Sequence, residues 1–379
     1  MNKESAYWIA LAHLPRWGYL KTNNLIVKFY HENNLSIEEF FQLPEDDWKK
    51  QYGLQSKEVE DLIKAKSELA NNAFLAETLG NEGYELIPIT SPDYSKILKE
   101  NLKAAHAPTL LYIKGNKQIL KENSIAIVGS RNATEKSLLF TDNIAKLASQ
   151  DYKIIVSGFA KGVDKQALDS AINYKGQSII VLPQGIMTFG TGFKKYYRQI
   201  VDGDVLVLST FFPKAPWRTE LAMARNPIIY GLASEIFVAE SSEKGGTWSG
   251  VIDGLRKNRK IYVRQPDLNE ENANILLIQK GAIAVDFSGK PIMEDNPLIP
   301  EESQSINESP VNYETEISLL LKTGEFTIKE IISKLHLQLT EKKIRDFLKN
   351  HKDVETINKK PLKYTSKDFV SKQRTLFDE

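Results

Sequence analysis

Between Ser124 and Phe287 the chain repeats one pattern: a short unbroken apolar run, a stop, then a helical stretch. SIAIVG ends at Gly129 and is followed by helical spacing to about Ser149. KIIVSG ends at Gly158 and leads into VDKQALDSAINY, and SIIVLP ends at Pro183. DVLVLS, EIFVAE, KIYVRQ and AIAVDF follow, with helical segments between most of them. A strand with one wet face alternates polar and apolar residues, so a continuous apolar run is buried on both faces. Such runs alternating with helices predict an α/β fold, a doubly wound parallel sheet covered on both sides. Ligands of these sheets lie beyond the carboxyl ends of the strands.

The flanks differ. Over residues 1–78 apolar residues recur at helical spacing in AYWIALAHL, NNLIVKFY, IEEFFQL and VEDLIKAK, with breaks at Pro15, Gly18, Pro44 and Gly53, which predicts a small helical domain. Trp8, Trp17 and Trp48 are its expected core anchors. ELIPI and TLLYIKG look like strands around SPDYSKILKENL and open an α/β domain expected over 79–287. Residues 288–311 are rich in Pro, Ser, Asn and Glu and predict a linker. Residues 312–368 carry three helical patterns, EISLLLK, TIKEIISKL and EKKIRDFLKNH, then a basic hairpin with Lys359, Lys360 and Lys363: the pattern of a winged-helix domain. Its charged helix, with Lys342, Lys343, Arg345 and Lys349, reads either as a duplex-DNA contact or as a solvated face.

Composition removes much chemistry. With no Cys there are no disulfides, thiolate nucleophiles or iron–sulfur clusters. None of the five His lies within 124–287, so neither a Ser-His-Asp triad nor a His-ligated metal is available there, and no metal or cofactor is expected. G-x-x-x-x-G-K-[ST] is missing, as is G-x-G-x-x-G after the first strand of the repeat. Fifty Lys and Arg against 49 Asp and Glu leave a net charge of +1, so an anionic partner must be met by local clustering. The N-terminus lacks an apolar signal core, and no run of about 18 apolar residues occurs. The expectation is a cytoplasmic protein without a membrane partner.

What remains are glycine-bearing strand ends with cations. In VGSRNAT, Gly129 permits a tight turn, the amides of the following helix would face an anion, Ser130 is a donor, and Arg131 is a bidentate phosphate ligand. In SGFAKGVD, Gly158 and Gly162 bracket a loop, Lys161 adds a point charge, and Asp164 is placed to cap the next helix. ARNPIIYGL supplies Arg225 and Asn226, and EKGGTWSG sets Lys244 beside Gly245, Gly246 and Thr247 at another helix start. One such turn is ordinary strand-to-helix connection chemistry. Several at one sheet edge describe a cationic pocket for phosphates.

VGSRNAT, SGFAKGVD, VLPQG and MARNPIIYGLA, in this order, resemble the motifs of the DprA/Smf family of DNA-processing proteins. The resemblance covers almost the whole chain. It implies an extended Rossmann-like fold between a SAM- or helix-hairpin-helix-like N-terminal domain and a winged-helix C-terminal domain. It further implies single-stranded DNA as ligand, the RecA recombinase as partner in natural transformation, a homodimer, and no catalytic activity. Gly129, Ser130, Arg131, Gly158, Lys161, Gly162, Arg225 and Asn226 match family positions around the DNA pocket, and Lys244 is added from the last loop. Pro227 breaks the family's R-N-R, and EKGGTWSG and VLPQGIM depart from its usual forms, as in a divergent branch. Two alternatives stand beside it. One is a nucleotide-binding sensor. The other is a phosphoribohydrolase of the LOG type, although its catalytic Glu position, counted from Thr247, is Gly250 here.

Overall fold

All nine apolar runs form strands of one sheet. The computed structural model describes residues 4–292, 313–335, 341–351, 353–357 and 362–367. The strands are β1 (Glu85–Pro88), β2 (Leu110–Lys114), β3 (Ser124–Val128), β4 (Ile154–Ser157), β5 (Ser178–Val181), β6 (Val205–Ser209), β7 (Glu235–Val238), β8 (Lys260–Arg264) and β9 (Ile283–Val285). Their order is β1-β2-β6-β5-β4-β3-β7-β8-β9. From β6 to β9 neighbours are parallel, as the apolar runs predict. β2 joins β6 antiparallel, with Tyr112 opposite Ser209, and β1 joins β2 antiparallel, so the sheet is mixed at that end.

Helices precede and interleave the strands. α1 (Ser5–Ala12), α2 (Tyr19–Ile26), α3 (Ile37–Gln42), α4 (Glu45–Lys50), α5 (Ser56–Ser67) and α6 (Leu69–Asn81) come first. α7 (Lys96–His106), α8 (Glu135–Gln150), α9 (Val163–Asn173), α10 (Gly190–Lys195), α11 (Tyr197–Val201), α12 (Thr219–Leu232), α13 (Gly246–Arg256) and α14 (Asn274–Gln279) follow. No helix among the described residues is long and apolar enough to cross a membrane.

The period of two along each strand sorts the core into layers. Ala126, Val128, Val156, Val181 and Leu208 face a cluster that includes Leu98, Leu102, Ile228 and Val251 of α7, α12 and α13. Ile125, Ile127 and Ile155 point the other way, against Phe140, Ile144 and Ala167 of α8 and α9. On that same face Tyr112, Ile180, Val205 and Val207 pack with Trp8, Leu11, Phe29, Phe40 and Trp48 of the N-terminal helices. Residues Met1–Asp295 accordingly form one compact unit, and Asn296–Glu379 a second.

In the second unit α15 (Tyr313–Leu321), α16 (Ile328–Lys334) and α17 (Glu341–Asn350) precede a two-stranded antiparallel hairpin of β10 (Val354–Ile357) and β11 (Lys363–Ser366). Ile317, Leu321, Ile331, Ile344, Leu348 and Tyr364 form its core. Thr327 opens α16 with a capping box to Glu330. Lys359 and Lys360, and residues 293–311 of the expected linker, lie outside the described residues.

Candidate nucleic-acid interface

From β3 the chain winds outward through β4, β5 and β6, then crosses back to β7, β8 and β9. The loops after β3 and β7 therefore leave the carboxyl edge in opposite directions and open a crevice between them. That crevice is a cavity of about 380 Å³. Gly129, Ser130 and Arg131 line it from the β3 loop, Arg225 and Asn226 from α12, and Lys244 from the loop before α13. Gly158, Lys161 and Gly162 do not line it. Lys161 is exposed on the adjoining loop, and the two glycines shape the cavity from behind.

Gly162 has φ +76°, and a Cβ there would lie 2.3 Å from the carbonyl oxygen of Ser130 and 2.7 Å from that of Arg131. Only glycine lets the β4 loop cross directly beneath the Arg131 loop. Gly158 makes a different space: a Cβ there would lie 1.6 Å from Nη1 of Arg225. The guanidinium fills the place of the missing side chain. Arg225 is 4% exposed. Its Nη1 donates to the carbonyl oxygen of Val181 at 2.9 Å, and its Nε has no hydrogen-bond partner among the described residues.

Asp164 lines the same cavity and is buried. Burial raises its pKa; the charge of Arg225, the amides of Ala160 and Gly158, and Arg131 pull the other way. Burial in turn lowers the pKa of Arg225, against the charge of Asp164 and with that of Arg131. The carboxyl is not the helix cap that its position predicts: Gly162 is the N-cap of α9, and Asp164 sits in the first turn, held by amides of the loop before it.

A second expectation needs correction. The residues that open α8 do not line the cavity, and a carboxylate of the protein sits at that terminus. Glu240, at the end of β7, accepts from the amide of Thr134 at 2.9 Å, from its hydroxyl at 2.8 Å and from the Ser137 hydroxyl at 2.8 Å. Its backbone oxygen also takes the amide of Ser130 at 2.9 Å. Glu240 thus fixes the loop that carries Arg131. The open helix terminus belongs instead to α13, whose N-cap Gly245 has φ +100° and no side-chain cap. Gly245, Gly246 and Thr247 line the cavity, and the Thr247 hydroxyl ties them to the carbonyl oxygen of Gly129 at 3.1 Å. Arg131 and Lys244 in the cavity lining, and Lys161 on the adjoining loop, are exposed and make no ion pair among the described residues. The arrangement supplies unneutralised cations, a helix N-terminus and a buried arginine with a spare donor, which together suit an anionic, hydrogen-bonding ligand.

Residues 85–296 match the family described as DNA recombination-mediator protein A. This chain belongs to that family. The matched span runs from β1 past β9, so it holds the whole cavity. DNA processing protein DprA of Streptococcus pneumoniae is 30% identical over 192 residues, 50% of this chain and 67% of that protein. DprA of Bacillus subtilis is 30% identical over 223 residues, 57% of this chain and 72% of that protein. The X-ray structure of the S. pneumoniae protein covers 76% of this chain and 96% of its own, with a TM-score of 0.59 at 23% identity, which is a likeness of fold.

The family's Rossmann-like sheet thus has a cavity beside several of the glycine-bearing strand ends, with further residues around it that no motif marks. Glu240, Tyr230, Thr219 and Met223 carry no local signal. Tyr230 packs where a side chain at position 250 would be, since a Cβ on Gly250 would lie 2.8 Å from its ring. A catalytic carboxylate of the phosphoribohydrolase type has no room there.

Proposed function

We propose that this chain binds single-stranded DNA through the cavity at the β3–β7 crevice and mediates its handover to a RecA-type recombinase as a homodimer, without itself catalysing a reaction. The observation that carries the reading is the pair of exposed, unpaired cations Arg131 and Lys244, with Lys161 on the adjoining loop, at a cavity whose buried Arg225 has no hydrogen-bond partner for its Nε among the described residues. Arg131 takes a phosphate through its planar fork, Lys244 and Lys161 add point charges, and the α13 terminus adds amide donors. A narrow crevice admits one backbone, so a single strand is preferred over a duplex. The recombinase and the homodimer follow from the family resemblance. The three helices and hairpin of the second unit serve as a winged helix, in a regulatory or protein-binding role.

The test is a titration of labelled single-stranded and duplex oligonucleotides of equal length, followed by fluorescence anisotropy. Single strands bind tighter, with a log–log salt slope of about −0.7 per phosphate neutralised. Arg131→Ala costs about 1.5–3 kcal/mol, roughly tenfold or more in affinity, with unchanged circular dichroism. Equal affinity for duplex, or a folded Arg131→Ala protein that binds like wild type, defeats the reading. A second reading, a small phosphorylated ligand, draws on the cavity's size, which falls in the range of small-molecule pockets of roughly 300–1,000 Å³. Competition by free nucleoside monophosphates separates it from the first.

A further inference from the structure

We infer that Trp217 forms a nucleobase subsite at the lip of the cavity, where a base of a bound single strand stacks on its indole ring. This rests on the single-strand reading above and deepens it, because phosphate contacts alone leave the bases without a partner.

The chain has five tryptophans, and four have internal roles. Trp8 and Trp48 are buried in the N-terminal core. Trp17 donates to Asp61 and carries Lys21 over its ring. Trp248 is partly buried and packs against the core cluster that includes residues of α7, α12 and α13. Trp217 is 50% exposed and has neither an aromatic nor a cation–ring partner among the described residues. A lone exposed apolar ring on a surface needs no explanation. Its position argues for one here. Thr219, two residues on, lines the cavity, and Arg218 between them is extended at φ −146°, ψ 153°. Two extended residues span at most about 7 Å, so the backbone of Trp217 lies within that distance of a residue that lines the cavity. Met223, on the next turn of α12, also lines the cavity and is 43% exposed, which extends the apolar lip. Arg218 and Lys214 flank Trp217, both exposed and without an ion pair among the described residues; one carboxylate, Glu220, follows.

The loop that presents the ring is fastened. The carbonyl oxygen of Ala215 accepts from the Gly185 amide at 2.8 Å and the Thr188 hydroxyl at 3.2 Å, and the carbonyl oxygen of Pro213 accepts from the Met187 amide at 3.0 Å. Gly185 permits this contact, since a Cβ there would lie 2.3 Å from the oxygens of both Phe212 and Pro213. An aromatic face on a rigid loop, beside cations and a phosphate cavity, is the combination that holds single strands without sequence preference, because every base has a π face.

The test uses the full chain, labelled oligothymidylate, and an abasic deoxyribose-phosphate strand of the same length. Trp217→Ala lowers affinity for oligothymidylate by roughly five- to a hundredfold and leaves the abasic strand within about twofold. Trp217→Phe retains most of the affinity, and Trp217→Leu behaves like Ala. Arg131→Ala, the cavity control, weakens both strands. If Trp217→Ala binds oligothymidylate like wild type while Arg131→Ala weakens it, the stacking subsite is wrong and the cavity reading stands. If Arg131→Ala also binds like wild type, the cavity reading itself is wrong. Equal losses on both strands, or Leu matching Phe, mean that the ring acts through packing or loop shape, and overturn the inference.

Discussion

Gly162 is the point where the loops after β3 and β4 touch, and replacing it by alanine tests that crossing directly. Its φ of +76° and ψ of −128° are open to glycine and costly for alanine, by about 1–3 kcal/mol. The new methyl also meets the Ser130 and Arg131 carbonyl oxygens at 2.3 and 2.7 Å, so the Arg131 loop must move or the contact must strain, at about 1–3 kcal/mol more. Gly245→Ala is the internal reference: φ is +100° there too, but nothing lies within 4 Å of the added Cβ. It carries backbone strain without the collision. Both changes reduce unfolded-chain freedom alike, so that part cancels. Gly162→Ala is therefore expected to lose about 2–6 kcal/mol, and Gly245→Ala about 1–3 kcal/mol. Urea unfolding followed by tryptophan emission reads the right part of the molecule, because all five tryptophans lie in the first compact unit. If the two variants agree within about 0.5 kcal/mol, the margin within which ordinary surface substitutions fall, the loops do not cross as described.

Gly158→Ala places a methyl 1.6 Å from Nη1 of Arg225, expels the guanidinium from its bond to Val181, and leaves Asp164 buried without its cation; the expected loss is about 3–5 kcal/mol, and a variant as stable as wild type in the same urea assay refutes the brace. His13 is half-buried beside Tyr112, with Nε2 2.8 Å from the phenol oxygen, and the loss of hydration there lowers its pKa from 6.5 to about 4. Its neutral form is the folded one, so its contribution is complete above pH 6.5 and is lost as pH falls toward 4, by about 3 kcal/mol in all. His13→Gln flattens that part of a stability-against-pH curve, and an unchanged slope shows that His13 is not its source.

Strands β2 to β6 were legible in the sequence because they are buried on both faces, where apolar residues dominate. Direction was not: ELIPI and TLLYIKG look like the runs after them, yet β1 and β2 enter antiparallel, since pairing sense is set by the path of the connection and leaves no mark on strand composition. At the site, the positions of Gly129, Arg131 and Lys244 could be read, because turn chemistry is local. What fills each space could not. Glu240 closes the α8 terminus from 106 residues away in sequence, and that partnership has no local signature at either end. Arg225 sits in a helix where a charged residue ordinarily reads as surface. Its burial depends on an absent side chain at Gly158, so the glycine that reads as the edge of a loop is a socket.

That socket divides the cations into two kinds. Arg131 and Lys244 are exposed, unpaired among the described residues, and free to meet a phosphate at the cost of little more than their own ordering. Arg225 is already desolvated, bonded to Val181 and balanced by Asp164, so its guanidinium is part of the cavity wall. A neighbouring anion adds attraction to Arg225, but it also repels the Asp164 carboxylate, and the two effects offset. On the proposed function, most of the salt-dependent affinity therefore comes from the exposed cations. Substitution at Arg131 then acts on binding with the fold intact, whereas substitution at Arg225 acts first on the fold, because it strands Asp164 in the interior.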